Sequence, residues 1–243
     1  MEKPVITISP ALPSEIPRLA SIFTAAFATD AHTQLKAVAH PSHNQERGMT
    51  EGLEYWISSA KKCVVIKATI DHDIVGWTTW GWHGFDLGLP EEWKATYVQD
   101  TPPNASVVIG EEKNAHSTDS QPAGIKRLKE ITNADMEAWE NRFMPNQSTE
   151  CMILAAIAVH PDWQGKGVGS RLINWGLTKA HKRGVFTWVS SSDGGWGAFE
   201  KAGFEYVGEL RLDLDEFSDG IKREDGRPWG EYVWRYGKIQ PKQ

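Results

Sequence analysis

The chain has 243 residues, a net charge of −6, 40% hydrophobic and 24% charged residues. No run of 18 apolar residues occurs, so no membrane span is expected. An acidic chain without a basic block is a poor match to nucleic-acid binding, which needs a phosphate-neutralising face. The N-terminus has no apolar stretch after its charges, and the two cysteines, Cys63 and Cys151, form no CxxC pair. A reduced, cytoplasmic protein without a disulfide framework is the expectation. In chain order, residues 6–9 read as a strand. Pro13-Ser14-Glu15 opens a helix with Ser14 as N-cap, and Ile16, Leu19, Ala20, Phe23 and Phe27 line one face of it. A second helix is expected over 44–60. Residues 63–70 and 74–82 read as a β-hairpin turning at Asp71-His72-Asp73. In its second arm Trp80 and Trp82 share a face and Trp77 opposes them, and core packing is the commoner use of each.

From 83 to 150 the pattern weakens. Residues 101–124 read as a long surface loop and 133–141 as a short helix. Periodicity then sharpens. Residues 151–159, CMILAAIAV, form the continuous apolar run of a strand covered on both faces. Gly169, Leu172, Ile173, Gly176, Leu177 and Ala180 mark one helix face, closed by Lys182-Arg183-Gly184 with cations in the last turn and a C′ glycine. A strand at 185–189, a short helix at 196–202 and strands at 204–214 and 232–239 complete the chain. Strand, glycine loop, helix, strand is an α/β crossover. The reading is one α/β domain over 1–243, with 83–150 as an insertion within it.

The stretch between the apolar strand and the long helix carries the chemistry. Gly165, Gly167 and Gly169 let the backbone turn tightly and bring several N–H groups together. At a helix N-terminus these make an anion site suited to a pyrophosphate, with Lys166 adding charge. The phosphate loop GxxxxGK[ST] is absent. The dinucleotide pattern GxGxxG fails, because Ser170 stands where its third glycine belongs and five residues separate strand from glycines. His40 and His43, without cysteine or carboxylate partners, make a weak metal set, and no metal is expected.

Gln164-Gly-Lys-Gly167-Val-Gly169 resembles the acetyl-CoA motif Q/R-x-x-G-x-G/A of the GNAT superfamily of N-acetyltransferases. Ser192-Asp-Gly-Gly-Trp-Gly-Ala-Phe199-Glu-Lys-Ala-Gly203-Phe204 is similar to the family's second block, at the family's usual separation. Together the blocks cover 151–208, and the extended insertion resembles fungal-style small-molecule members. The resemblance implies a mixed, strongly twisted sheet, flanked by helices on both faces and splayed open beside the 151–159 strand to admit acetyl-CoA. Ile157, Ala158 and Val159 would then offer backbone groups to the pantetheine. Gln164, Gly165, Lys166, Gly167, Val168, Gly169 and Ser170 would hold the pyrophosphate. Ser192, Phe199 and Lys201 would complete the coenzyme site.

The implied reaction is attack of an amine on the thioester, with a strand N–H meeting the oxyanion. An alkylammonium has a pKa near ~10, so a base is needed. Many relatives carry a carboxylate within the strand; MILAAIAV has none. Glu150, His160 and Ser192 are the candidate catalytic residues, with Asp193 beside them. The family's usual acid, a tyrosine, aligns with Phe199, which donates no proton; Ser190, Ser191, Ser192 and Tyr206 are the nearby hydroxyls. The resemblance implies an acceptor wall near 27–43, on the Trp77–Trp82 hairpin arm and in the 83–150 insertion, with Phe27, Trp80 and Trp82 as its candidates. That composition suits a small apolar or aromatic amine. The partner expected is that amine, with no nucleic acid and no membrane. Dimers are common among relatives, and an edge strand such as 232–236 offers a route to one. A CoA-binding module without catalysis and an acetyltransferase of protein lysines or N-termini are the alternatives.

Overall fold

The computed structural model describes residues 4–39, 44–89, 91, 93 and 122–241. Its sheet is built from β1 (Thr7–Pro10), β2 (Cys63–Ile70), β3 (Asp73–His83), β4 (Cys151–Val159), β5 (Phe186–Ser192), β6 (Glu205–Asp213) and β7 (Glu231–Ile239), in the order β1-β2-β3-β4-β5-β7-β6. The β4–β5 pair is parallel and all other pairs are antiparallel. The helices are α1 (Ile16–Ala26), α2 (Ala31–Ala39), α3 (Gln45–Ser58), α4 (Ala123–Phe143), α5 (Val168–Arg183) and α6 (Asp193–Lys201).

The β2–β3 hairpin turns through Asp71 and His72, both at positive φ (49° and 72°). That is the mirror-image turn whose twist suits paired strands. Alternation along β3 then sorts the two faces. The Trp77 indole N–H donates to the Leu19 carbonyl of α1 at 2.8 Å, and its ring meets Trp56 of α3. Trp80 points the other way and donates to the Leu172 carbonyl of α5 at 3.3 Å. On the α1 face, α4 continues the layer, where Phe143 packs with Cys151, Ile153 and Trp188. On the α5 face, Phe199 of α6 joins Val189 and Leu172 in the core. Helices thus cover both faces of an open mixed sheet, as expected.

Four local expectations need correction. Ser14 lies inside a 3-10 turn over Pro13–Glu15, and the Leu12 N–H is held instead by the Glu15 carboxylate at 2.8 Å. Helix α2 was not expected; Asp30 caps it, its carboxylate accepting the Thr33 N–H at 2.8 Å. The expected short helix at 133–141 is the second half of α4. That helix begins where a loop was expected, because Gly124 packs so tightly on Phe217 that a Cβ would stand 2.2 Å from the Phe217 carbonyl. Residues 101–121 of the expected loop lie outside the described residues. Finally, 232–236 is no edge: β7 runs between β5 and β6, and the outer strands are β1 and β6.

Candidate active site

The parallel β4–β5 pair extends only from Cys151–Phe186 to Leu154–Val189. Beyond it β4 continues through Val159, bonded to β3, and β5 continues through Ser192, bonded to β7. The two strands therefore part midway and leave a wedge. Its apex carries a β-bulge. Thr79 of β3 lies opposite Ala156 and Trp80 opposite Leu154, so Ala155 is the extra residue. A bulge bends its strand and re-aims the side chains that follow, and Ala155, Ala156 and Ile157 are only half-buried in a strand otherwise sealed at its start. Ala156 and Ala158 face α1, Ile157 and Val159 face α5. Small side chains on the α1 face leave room beside the unpaired backbone of β4.

At the open end of β4 the chain turns through a 3-10 turn (Pro161–Trp163) into α5. The Gln164 side-chain amide donates to the Val159 carbonyl at 3.0 Å, fixing the loop to the strand end. Gly165 and Gly167 hold φ of 72° and 88°, a region L-residues enter at a cost, and a Cβ on either would meet nothing within 4 Å. Gly167 is the N-cap of α5. No side chain caps that helix and its first turn holds no acidic residue. The first N–H groups of a helix have no intrahelical partners and carry the positive end of its dipole. Lys166 is exposed over the Trp163 ring at 4.7 Å. Ser170 is exposed on the first turn, Gly169 lies beside Val159, and Val168 turns inward, buried over Gly76. These features fit a pyrophosphate group.

Across the wedge stand β5 and β7. Ser190 and Ser192 lie on the face of Trp188, towards α4; Ser191 lies on the other face, its hydroxyl donating to the Ser192 carbonyl at 2.9 Å. Tyr232, Trp234 and Tyr236 share the face of Ser190 and Ser192. The Tyr232 hydroxyl donates to Asp30 at 2.7 Å and the Tyr236 hydroxyl to Asp135 of α4 at 2.6 Å. Burial, reinforced by those carboxylates, pushes both phenols well above their ordinary range. The His32 ring lies 5.4 Å from Tyr232 and edge-on to Trp234 at 5.1 Å. Strict alternation in Tyr-Val-Trp-Arg-Tyr would have revealed this aromatic face from sequence; its carboxylate partners had no sequence signal.

The remaining expected site residues are dispersed. Ala158 is buried, and Ile157 and Val159 are half-buried along the wedge. Phe27 follows the end of α1 with its ring tilted against Phe23, centroids 4.4 Å apart. Trp80 is fully buried under Gly176 and Trp82 donates to the Lys61 carbonyl at 3.1 Å, so neither indole lines the wedge. Phe199 is core, edge-on to Phe204, and Lys201 is exposed in the last turn of α6. Tyr206 is 53% exposed and meets Trp196 on the α6 side. Glu150 precedes β4, four residues before the wedge begins, about 13 Å along a strand. Arg183 grips it with two bonds, at 2.7 and 3.1 Å, which raise the Arg183 pKa. His160 is tied back: its N–H donates to Val75 and its ring nitrogen accepts from the Asp162 N–H at 3.4 Å. Asp193 pairs with Arg235. His40 and His43 lie outside the described residues; among those described, no cluster of three or more His, Cys, Asp or Glu is placed to hold a metal, and no helix is long and apolar enough to cross a membrane.

A sequence profile of the acetyltransferase (GNAT) family matches residues 29–204, which include the wedge, the glycine turn and α5. The chain belongs to that family. No curated protein matches the chain at sequence level. Solved structures of this GNAT fold include a mosquito arylalkylamine N-acetyltransferase like 5b, at 16% identity and TM-score 0.54, covering 97% of this chain and 100% of that one. A Drosophila melanogaster polyamine N-acetyltransferase that forms N-acetylagmatine superposes at TM-score 0.53 and 14% identity, with coverage of 97% and 100%. A histone acetyltransferase HPA2-related protein of Corynebacterium glutamicum gives 0.50 and 15%, with coverage of 98% and 97%. At such identities the likeness is one of fold.

Proposed function

We propose that this GNAT chain transfers the acetyl group of acetyl-CoA to the amine of a small molecule. The observation that carries the reading is the wedge between β4 and β5, with an uncapped, glycine-turned helix N-terminus at its open end. Acetyl-CoA supplies the thioester. The N–H groups of the α5 turn and Lys166 would take its pyrophosphate, and unpaired backbone of β4 at Ala155–Val159 would hold the pantetheine like an added strand. An N–H of the same strand edge would meet the developing oxyanion. Holding two reactants side by side makes the attack effectively intramolecular, worth up to about 7–11 kcal/mol in favourable cases.

The acceptor approaches from the α1–α2 face. Alternation puts Ala156, Ser192, Tyr232 and Trp234 on that side, while the α5 turn binds from the other. Half-buried aromatic rings and hydroxyls favour an amine on a short aromatic or alkyl carrier over an extended basic peptide. Two fold relatives whose names specify arylalkylamine and polyamine acceptors support the same class.

Thiol release from acetyl-CoA, followed with arylalkylamines, polyamines and histone-like peptides, tests this. Turnover with small amines and none with peptides is expected. Calorimetric binding of acetyl-CoA with no thiol release for any acceptor would make the chain a coenzyme-binding module instead.

A further inference from the structure

Ser192, Tyr232 and Asp30 line up across the acceptor side of the wedge. Ser192 stands at the N-cap of α6, where serine ordinarily accepts a helix N–H, yet its side chain makes no cap bond. Ser192 is paired with Trp234 in the β5–β7 register, which sets its hydroxyl on the same face as Tyr232 and one pair away, as a donor towards the phenol. The Tyr232 hydroxyl donates to Asp30 Oδ2 at 2.7 Å, and Asp30 Oδ1 accepts the Thr33 N–H at 2.8 Å. Ser192, Tyr232 and Asp30 are each half-buried. A similar trio, Ser190–Tyr236–Asp135, lies alongside, but its tyrosine is 1% exposed and stacked under Trp139 of α4. Its ends, Ser190 and Asp135, are half-buried as well, so the two trios differ at the tyrosine, and only Tyr232 is open to the acceptor side.

Resting on the acetyltransferase reading, we propose that Ser192, Tyr232 and Asp30 form the proton relay that converts the bound ammonium of the acceptor into the attacking amine. An ammonium N–H bond breaks as a Ser192 Oγ–H bond forms. Ser192 passes its own proton to the Tyr232 oxygen, and Tyr232 passes its proton to Asp30 Oδ2. Ammonium and carboxylate become amine and carboxylic acid, and both hydroxyls are restored. In water this transfer runs uphill by about 6 pK units, and the attack draws it forward by consuming the amine as it forms. Asp30 then returns the proton to solvent. Ser192 is the catalytic residue of the three, since it touches the amine; Tyr232 and Asp30 are positioning residues acting through it. The relay supplies the base that β4 lacks. Other titratable groups around it are His32, against the Tyr232 ring, and the Asp193–Arg235 pair where α6 leaves β5.

The test uses three near-isosteric variants of the full chain, Asp30→Asn, Tyr232→Phe and Ser192→Ala. Asparagine keeps the α2 cap, phenylalanine keeps the ring, and Ser192 caps nothing to begin with. With the best small amine, kcat/KM at pH 7 is expected to fall about 100-fold in each variant, the lower end of general-base effects. The deficit should close as pH approaches the pKa of the amine, where free amine arrives ready to attack. Acetyl-CoA affinity by calorimetry should hold in Asp30→Asn and Tyr232→Phe, which lie outside the coenzyme site. Asp30→Asn and Tyr232→Phe with wild-type rates and pH profiles would overturn the relay alone. So would His32→Gln producing that profile while Asp30→Asn does not, since the base would then be His32. Wild-type protein that binds acetyl-CoA yet releases no thiol with any amine overturns the transfer reading, and the relay with it.

Discussion

Gly167 sits at φ +88° with open space where a Cβ would be. Sterics of neighbouring atoms therefore do not explain the glycine; the backbone angle does, and so does the phosphate that would occupy the space. Gly167→Val should cost about 1–3 kcal/mol of stability through the strained angle, visible in urea unfolding. Its acetyl-CoA affinity should fall at least tenfold by calorimetry, since a branched side chain would stand among the N–H groups. Normal affinity in a folded variant would remove the phosphate role of the turn. Glu150 poses the opposite case. As the last carboxylate before a strand that has none, it invites a catalytic role, but Arg183 holds both its oxygens at the closed end of β4. Glu150→Gln is expected to leave kcat/KM within twofold of wild type, and a larger loss would return it to the chemistry.

At the scale of elements, β4, the glycine turn, α5 and β5 were legible because each is announced locally. A fully apolar run, positive-φ glycines and a cationic last turn closed by Gly184 need no distant partner. Elements whose stability is supplied from elsewhere were not. Helix α2 buries only Leu35 and Ala39 and is held at its cap, Asp30, by a bond donated from the Tyr232 hydroxyl, 202 positions away. The start of α4 reads as the end of a polar loop until Phe217 closes over Gly124. The candidate site divides in the same manner: its proposed coenzyme side lies in one stretch of sequence, and its proposed acceptor side is assembled from the start of α2, β5 and β7. Helix α5 also shows how packing aims a site. Gly176 lets it lie directly on Trp80, where a Cβ would come within 2.1 Å of the indole. Gly176→Ala should therefore destabilise by about 1–3 kcal/mol through overpacking, more than the helix propensity it gains, and weaken acetyl-CoA binding as the helix shifts. Gly52→Ala in α3, where nothing lies within 4 Å, should stabilise by about 0.5–1 kcal/mol. Equal effects in urea unfolding at the two positions would contradict the packing argument.

Across the whole molecule, the two thiols report on separate regions of one buried interior. Cys63 opens β2 under α3, with its Sγ donating to the Trp56 carbonyl at 3.3 Å, and Cys151 opens β4 among Ile153, Phe143 and Trp188. Burial pushes both thiols up from the ordinary 9.0 to about 12. Below pH 9 each is protonated whether the chain is folded or not, so neither makes stability depend on pH. Between 9 and about 12 only the unfolded chain releases these protons, and stability falls by about 1.4 kcal/mol per pH unit for each thiol. Lysines titrate in the same window, so the thiol contribution is isolated by difference. The advantage in unfolding free energy of wild type over Cys63→Ala/Cys151→Ala should shrink by about 2–3 kcal/mol per pH unit above pH 9. Below that pH, iodoacetamide should label both positions only as fast as the chain unfolds. Labelling of Cys151 well ahead of Cys63 would mean that the β4 side opens by itself, and that the wedge beside it is held by a smaller cooperative unit than the full sheet.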